Sequence, residues 1–228
     1  REGGYLLRRM GESDDEVPSL PADTLAVLAA FREEQAQLEK EAAAGERLPT
    51  EDWQLSQFWY SDDTSERLCS EIEAAVLPPD CPPEKTAEVA LISSPTLLPF
   101  LKKRESFKNG SLRVRLFEFD ERFGALHPDE FVRFDYRTPL EIAPSLRGCF
   151  DLIVADPPFL SDECIVKTAQ SIKLLSKEDS RTIICTGAVM EDMVNRLFGT
   201  HRTSFVPIHS NKLQNDFASF ANYEPLTL

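Results

Sequence analysis

"DLIVADPPFL", residues 151–160, joins an unbroken apolar run, Leu152 to Ala155, to an acid, two prolines and a phenylalanine. A short apolar run without alternation is the pattern of a strand covered on both faces, and such strands belong to mostly parallel sheets. Ligands of open parallel sheets sit beyond the carboxyl ends of the strands. Asp156 stands at such an end.

Segments of the same kind recur on either side. "AEVALIS" (87–93), "SLRVRLFEF" (111–119), "EFVRFDY" (130–136) and "SRTIICTG" (180–187) join 150–156 as short buried strands. Helical patterns occupy 96–108, 139–147, 162–176 and 188–198 between them. Two further strands, near 202–207 and 216–223, are separated only by a loop, which permits an antiparallel pair. Strands alternating with helices predict an α/β fold. Five such units and a closing hairpin are the plan of a Rossmann-like class I methyltransferase: a seven-stranded, mostly parallel sheet with an antiparallel C-terminal strand. This core is expected over residues 86–228.

The N-terminal part is expected to be an extension. Residues 1–20 hold four acids between positions 12 and 16 and little apolar content, so they are expected to be disordered, with Met10 a candidate initiator. Residues 21–85 should form helices and an aromatic segment that pack on the core. Asp23 suits an N-cap, and Leu28, Phe31, Gln35 and Leu38 share one face of a helix over 23–43. Asp63 with Glu66 fits a capping box for a helix over 63–76, and "LPPDCPPEK" (77–85), with four prolines, must be a loop.

Composition narrows the functions available. The 228 residues suffice for one α/β domain, and 25 Lys+Arg against 39 Asp+Glu leave a net charge of -14. That charge repels a phosphate backbone, which disfavours nucleic acid and favours a basic protein partner. Five cysteines, odd in number and without C-x-x-C, read as reduced thiols. His127, His201 and His209 show no ligand spacing, so no metal site is expected. No apolar run approaches the roughly 20 residues that cross a bilayer, so a soluble, cytoplasmic chain without membrane contact is expected.

The strand ends carry Ser93-Ser94-Pro95, then Glu118 and Asp120, then Asp135, then Asp156-Pro157-Pro158-Phe159. One acid at a strand end commonly serves a turn or a helix cap. Acids at successive ends point instead to a ligand. Glu118 or Asp120 could accept both hydroxyls of a ribose, and Asp135 the exocyclic amine of an adenine. The first turn, "ISSPT", lacks the glycines of a pyrophosphate loop, yet small Ser93 and Ser94 leave room for a cofactor.

The two prolines remove backbone donors, so Asp156 and the Pro157 carbonyl make a two-acceptor cradle for an amine, with Phe159 as a flat wall. This suits methyl transfer from S-adenosylmethionine to nitrogen, a reaction governed by positioning. The amine must be neutral to attack, and a charged Asp156 would raise its pKa. Asp156 is therefore expected to orient the nitrogen rather than act as a simple base. Trp53, Phe58, Trp59 and Tyr60 could line a lysine channel or cover the cofactor, or else clamp the N-terminal helix to the core. Loop 209–216 reads as a hairpin turn or a substrate contact, and His209 is expected to have no catalytic part.

"DPPF" resembles the signature of amino-group methyltransferases. Together with "WQLSQFWYS" (53–61), "FEFDERF" (117–123), "FVRFDY" (131–136) and "NDFASFANY" (215–223), it resembles the eukaryotic elongation factor 1-alpha lysine methyltransferase 1 family, once described as N6-adenine DNA methyltransferases. The similarity runs in motif order over about residues 20–224. It implies a class I S-adenosylmethionine enzyme that methylates a lysine of elongation factor 1-alpha in the cytosol, with a first turn that is not a glycine loop. A monomer is expected. The competing functions are N6-adenine methylation of nucleic acid and a non-catalytic interaction protein that keeps the fold.

Overall fold

The computed structural model describes residues 48–82, 84–211 and 215–228, together with Ala29 and Arg32, both helical. The segment expected to be disordered over 1–20, and the rest of the helix expected over 23–43, lie outside the described residues. The first long helix, α1 (Asp62–Val76), is capped two residues earlier than the sequence suggests: the Ser61 hydroxyl accepts from the Thr64 N–H. Its buried face, Leu68, Cys69 and Ile72, packs on the sheet.

The sheet contains β1 (Ala87–Ile92), β2 (Leu112–Glu118), β3 (Phe131–Arg133), β4 (Phe150–Ala155), β5 (Ser176–Gly187), β6 (His201–Arg202) and β7 (Phe217–Ala221), in the order β3-β2-β1-β4-β5-β7-β6. Strands β1 to β5 pair in parallel, and β7 inserts antiparallel between β5 and β6. The chain moves outward from β1 to β3, then restarts on the other side of β1 with β4. The crevice between β1 and β4 is therefore the switch point where such sheets take ligands.

Crossover helices cover both faces. Val89, Leu91 and Val154 meet α1 and α2 (Leu97–Lys103), while Ala90, Ile153 and Ala155 meet α5 (Asp162–Leu175) and α6 (Glu191–Phe198). Two short helices, α3 (Glu105–Lys108) and α4 (Arg122–Leu126), flank β2. Gly199, left-handed at φ 66°, ends α6.

Several expected elements are shorter than their patterns. The helix over 96–108 breaks at Arg104, which is extended at ψ 145°. That over 139–147 is a single 3-10 turn, Pro144–Leu146, because a proline there cannot donate to the preceding turn. The third strand stops at Arg133, since Asp135 folds the chain by accepting the Arg137 N–H at 2.9 Å and the Thr138 N–H at its carbonyl. The strand over 202–207 is only His201–Arg202.

Glu71 fastens the C-terminus. Fully buried on α1, it accepts from the Tyr223 hydroxyl, the Leu226 and Thr227 N–H groups and the Thr227 hydroxyl, at 2.7–3.2 Å. Glu71→Gln turns one acceptor into a donor facing these donors. We expect a loss of about 2 kcal/mol, read as a fall in Tm of about 4–8 °C in thermal denaturation. An unchanged Tm would show that the C-terminal tie contributes nothing.

Candidate active site at the carboxyl ends of the strands

A cavity of about 410 Å³ opens across the ends of β3, β2, β1 and β4, lined among others by Ser93–Thr96, Glu118, Phe119, Asp135, Asp156–Leu160 and His209. At the end of β1 the chain must turn sharply without glycine. Ser93 does so in the left-handed region, at φ 52°, where a serine is strained. Its N–H donates to the Phe117 carbonyl at 2.9 Å, and the Ser94 hydroxyl folds back onto the Ile92 carbonyl at 3.0 Å. Both hydroxyls are short, so the turn leaves the crevice open.

Of the two acids at and just beyond the end of β2, one lines the cavity. Glu118 is 6% exposed, and its Oε1 accepts from the Phe119 and Asp120 N–H groups at 2.8 and 3.1 Å. Among the described residues nothing donates to Oε2. Burial pushes the carboxyl up to about 7, with the two amides and Arg133 opposing and Asp120 assisting.

Asp120 does not line the cavity, contrary to the expectation that it could serve beside Glu118. Alternation ends with β2 at Glu118, and Asp120 turns to accept from Gln57 Nε2 at 2.9 Å and pair with Arg122 at 2.6 Å. Burial works against its charge, but Arg122 and Gln57 hold the carboxyl below the ordinary range.

Asp135 does line the cavity, with both oxygens engaged by Arg137 at 2.7–3.0 Å, which holds its carboxyl low. Beside it, Tyr136 packs on Phe159, ring centres 5.6 Å apart.

Asp156 leaves β4 with its N–H on the Ile92 carbonyl at 3.0 Å, and its Oδ2 accepts from the Tyr60 hydroxyl at 2.6 Å. Burial pushes its carboxyl up to about 7; the Tyr60 hydrogen bond pulls down and the Glu118 charge pushes up. Pro157 is buried and Phe159 exposed. Asp156, Pro157 and Phe159 all line the cavity, and Asp156 carries a tyrosine partner that the sequence did not announce.

The aromatic segment both lines the cavity and clamps the chain. Phe58, Trp59 and Tyr60 face the cavity. Trp59 also donates to the Pro49 carbonyl at 2.8 Å and meets Phe123 edge-on at 5.8 Å. Trp53 begins the 3-10 turn Trp53–Leu55, and its side chain lies outside the described residues. Tyr60 forms a β-bridge with His209, so part of loop 209–216 is a backbone partner of the aromatic segment. The His209 ring sits between Tyr60 at 5.1 Å and Phe217 at 4.6 Å, and burial pushes its pKa down to about 4, against the pull of Glu51. Sequence reasoning missed the Tyr60–Asp156 and Asp135–Arg137 partnerships. The first joins positions 96 apart and leaves no local signal.

The two raised carboxyls have a consequence for stability. A group whose folded pKa lies above its unfolded value binds more protons when folded, so its contribution is full below about pH 4 and is lost as pH rises through about 7. Asp156→Asn removes one such penalty. The free variant should melt higher than the wild type at pH 8, by about 3–6 °C, for a gain on the order of 1–2 kcal/mol. The gap should close near pH 4. A gap that widens on acidification would contradict a raised pKa at Asp156.

Residues 51–225 match the family model described as "Probable N6-adenine methyltransferase". The chain is 49% identical to a protein-lysine N-methyltransferase of Caenorhabditis elegans over 220 residues, 96% of this chain and 99% of the other. It is 40% identical to EEF1A lysine methyltransferase 1 of Mus musculus, covering 94% and 97% of the two chains. A protein-lysine N-methyltransferase of Saccharomyces cerevisiae is 33% identical, over 90% and 92%. Among solved structures, a branched-chain polyamine synthase mutein from Thermus thermophilus superposes with a TM-score of 0.57 at 12% identity, over 81% of this chain and 62% of that one, a likeness of fold alone.

Proposed function

The chain belongs to the EEF1A lysine methyltransferase 1 family, and from that membership we propose that it transfers methyl from S-adenosylmethionine to a lysine of elongation factor 1-alpha. We place this activity in the cytoplasm and assign it to a monomer. No helix among the described residues is long and apolar enough to cross a membrane. The observation that supports the proposal is that one cavity is lined by Glu118 at the end of β2, whose Oε2 has no donor among the described residues, and by Asp156, Pro157 and Phe159 at the end of β4.

The residues present fit the cofactor. Glu118 Oε2 is free to accept ribose hydroxyls, the Ser93–Thr96 turn leaves space beside it, and Asp135 keeps lone pairs for an adenine amine because each carboxylate oxygen accepts more than once. When bound, S-adenosylmethionine supplies an electrophilic methyl on a sulfonium. The remaining work falls to the chain's own groups.

A lysine near pKa 10.4 must lose its proton, which near pH 7 costs about 4–5 kcal/mol. Asp156 Oδ1 and the Pro157 carbonyl accept from the nitrogen and aim its lone pair. Phe58, Trp59 and Phe159 exclude water and weaken the hold on the charged form. Asp156 at about 7 still lies roughly three units below a free lysine, so its main part is orientation and the proton passes on to solvent.

The test is S-adenosylmethionine binding by calorimetry, then transfer of labelled methyl to purified elongation factor 1-alpha, DNA and RNA. Labelling of the protein alone is expected. Labelling of nucleic acid alone would replace the lysine substrate by adenine, and absence of cofactor binding would leave an interaction protein with this fold.

A further inference from the structure

Tyr60 lines the cavity, and the geometry points to a more specific part: we infer that it is a positioning residue, holding one oxygen of Asp156 so that the other faces the incoming amine. This inference rests on the methyltransferase function proposed above.

The torsion that turns a carboxylate about its last bond is soft, so an aspartate at a strand end does not by itself present a fixed acceptor. A 2.6 Å bond from the Tyr60 hydroxyl to Oδ2 removes that freedom. Among the described residues Oδ1 receives no donor, and it is the oxygen left for substrate.

Tyr60 is itself tied down. It is 3% exposed and bridged to His209 through the backbone, with its carbonyl accepting from the Ser210 hydroxyl at 3.1 Å. The next residue, Ser61, donates its N–H to the Ile208 carbonyl at 2.8 Å. The hydroxyl therefore occupies one place relative to β4, although it arrives from 96 positions away.

Charge makes the same point. The titratable groups facing Asp156 are Glu118 from β2, Cys164 from α5, Cys185 from β5 and Tyr60, with His209 behind Tyr60. None of them offers a positive charge: burial holds His209 neutral and keeps both thiols and the phenol protonated. Tyr60 is thus the group whose hydrogen bond favours ionised Asp156, against burial and Glu118. Without it the carboxyl, already raised to about 7 by burial, keeps its proton to a higher pH and there turns from acceptor into donor.

Tyr60→Phe removes the hydroxyl and keeps the ring against His209. In free protein labelled with 13Cγ-aspartate, the Asp156 resonance, identified by its loss in Asp156→Asn, should titrate about one to two pH units higher in Tyr60→Phe than in the wild type. The acid limb of kcat/KM for methyl transfer should move up by the same interval, with most activity recovered at pH 9 and cofactor affinity within about twofold of the wild type. 3-Fluorotyrosine, a stronger donor, placed at position 60 alone by stop-codon suppression should move the Asp156 midpoint down in the otherwise unaltered chain, which keeps the test available if Tyr60→Phe folds poorly. An Asp156 midpoint unmoved by these changes would overturn the inference. A wild type that titrates as described yet transfers no methyl would overturn the proposed reaction and leave the Tyr60–Asp156 coupling standing.

Discussion

Asp156→Asn is expected to lower kcat for methyl transfer by about 10²–10³-fold, with affinity for S-adenosylmethionine changed only a few fold. The amide keeps a carbonyl oxygen that can accept from Tyr60, so the local fold should survive. Its NH2 group, however, replaces an acceptor where the substrate nitrogen needs one, and two donors then face each other. In a reaction governed by in-line positioning, misplacing the nucleophile by about an ångström costs roughly 10²-fold. Single-turnover transfer to elongation factor 1-alpha at saturating cofactor separates this from a binding defect. Full activity at neutral pH would remove Asp156 from the role assigned to it.

The second large effect separates two acids that sit two positions apart. Glu118→Gln is expected to weaken S-adenosylmethionine by about 10–100-fold, the worth of hydrogen bonds to a charged acceptor. The amide keeps one oxygen for the Phe119 and Asp120 N–H groups, while the position facing the cavity becomes a donor. Asp120→Asn should leave affinity within about threefold and lower stability instead, because its carboxylate is spent on Gln57 and Arg122. Calorimetry with the cofactor alone reads the contrast directly. Equal losses in both variants, or a larger one at Asp120, would reverse the assignment.

The same pair of acids shows how far local pattern reaches. From the text alone Glu118 and Asp120 share a face, since alternation puts residues two apart on one side. That rule holds only while the strand lasts, and β2 stops at Glu118. Gln57 and Arg122 then claim Asp120, and no periodicity in the sequence announces them. Serine in the first turn was legible as small but not as left-handed, a conformation held by the Ser93 N–H on β2 and the Ser94 hydroxyl on the end of β1 itself.

The strands, their mostly parallel direction and the acids at their ends could be read from the chain because burial on both faces demands continuous apolar runs, and a strand must end in residues that turn. These are local demands, written within a few residues of where they act. Which acid faces the cavity, which oxygen of Asp156 is free and what holds it depend on contacts between positions such as 60 and 156. Those contacts arise from the packing of the whole chain: a hydrogen bond needs its partners within about 3 Å, and separation along the sequence does not encode that distance.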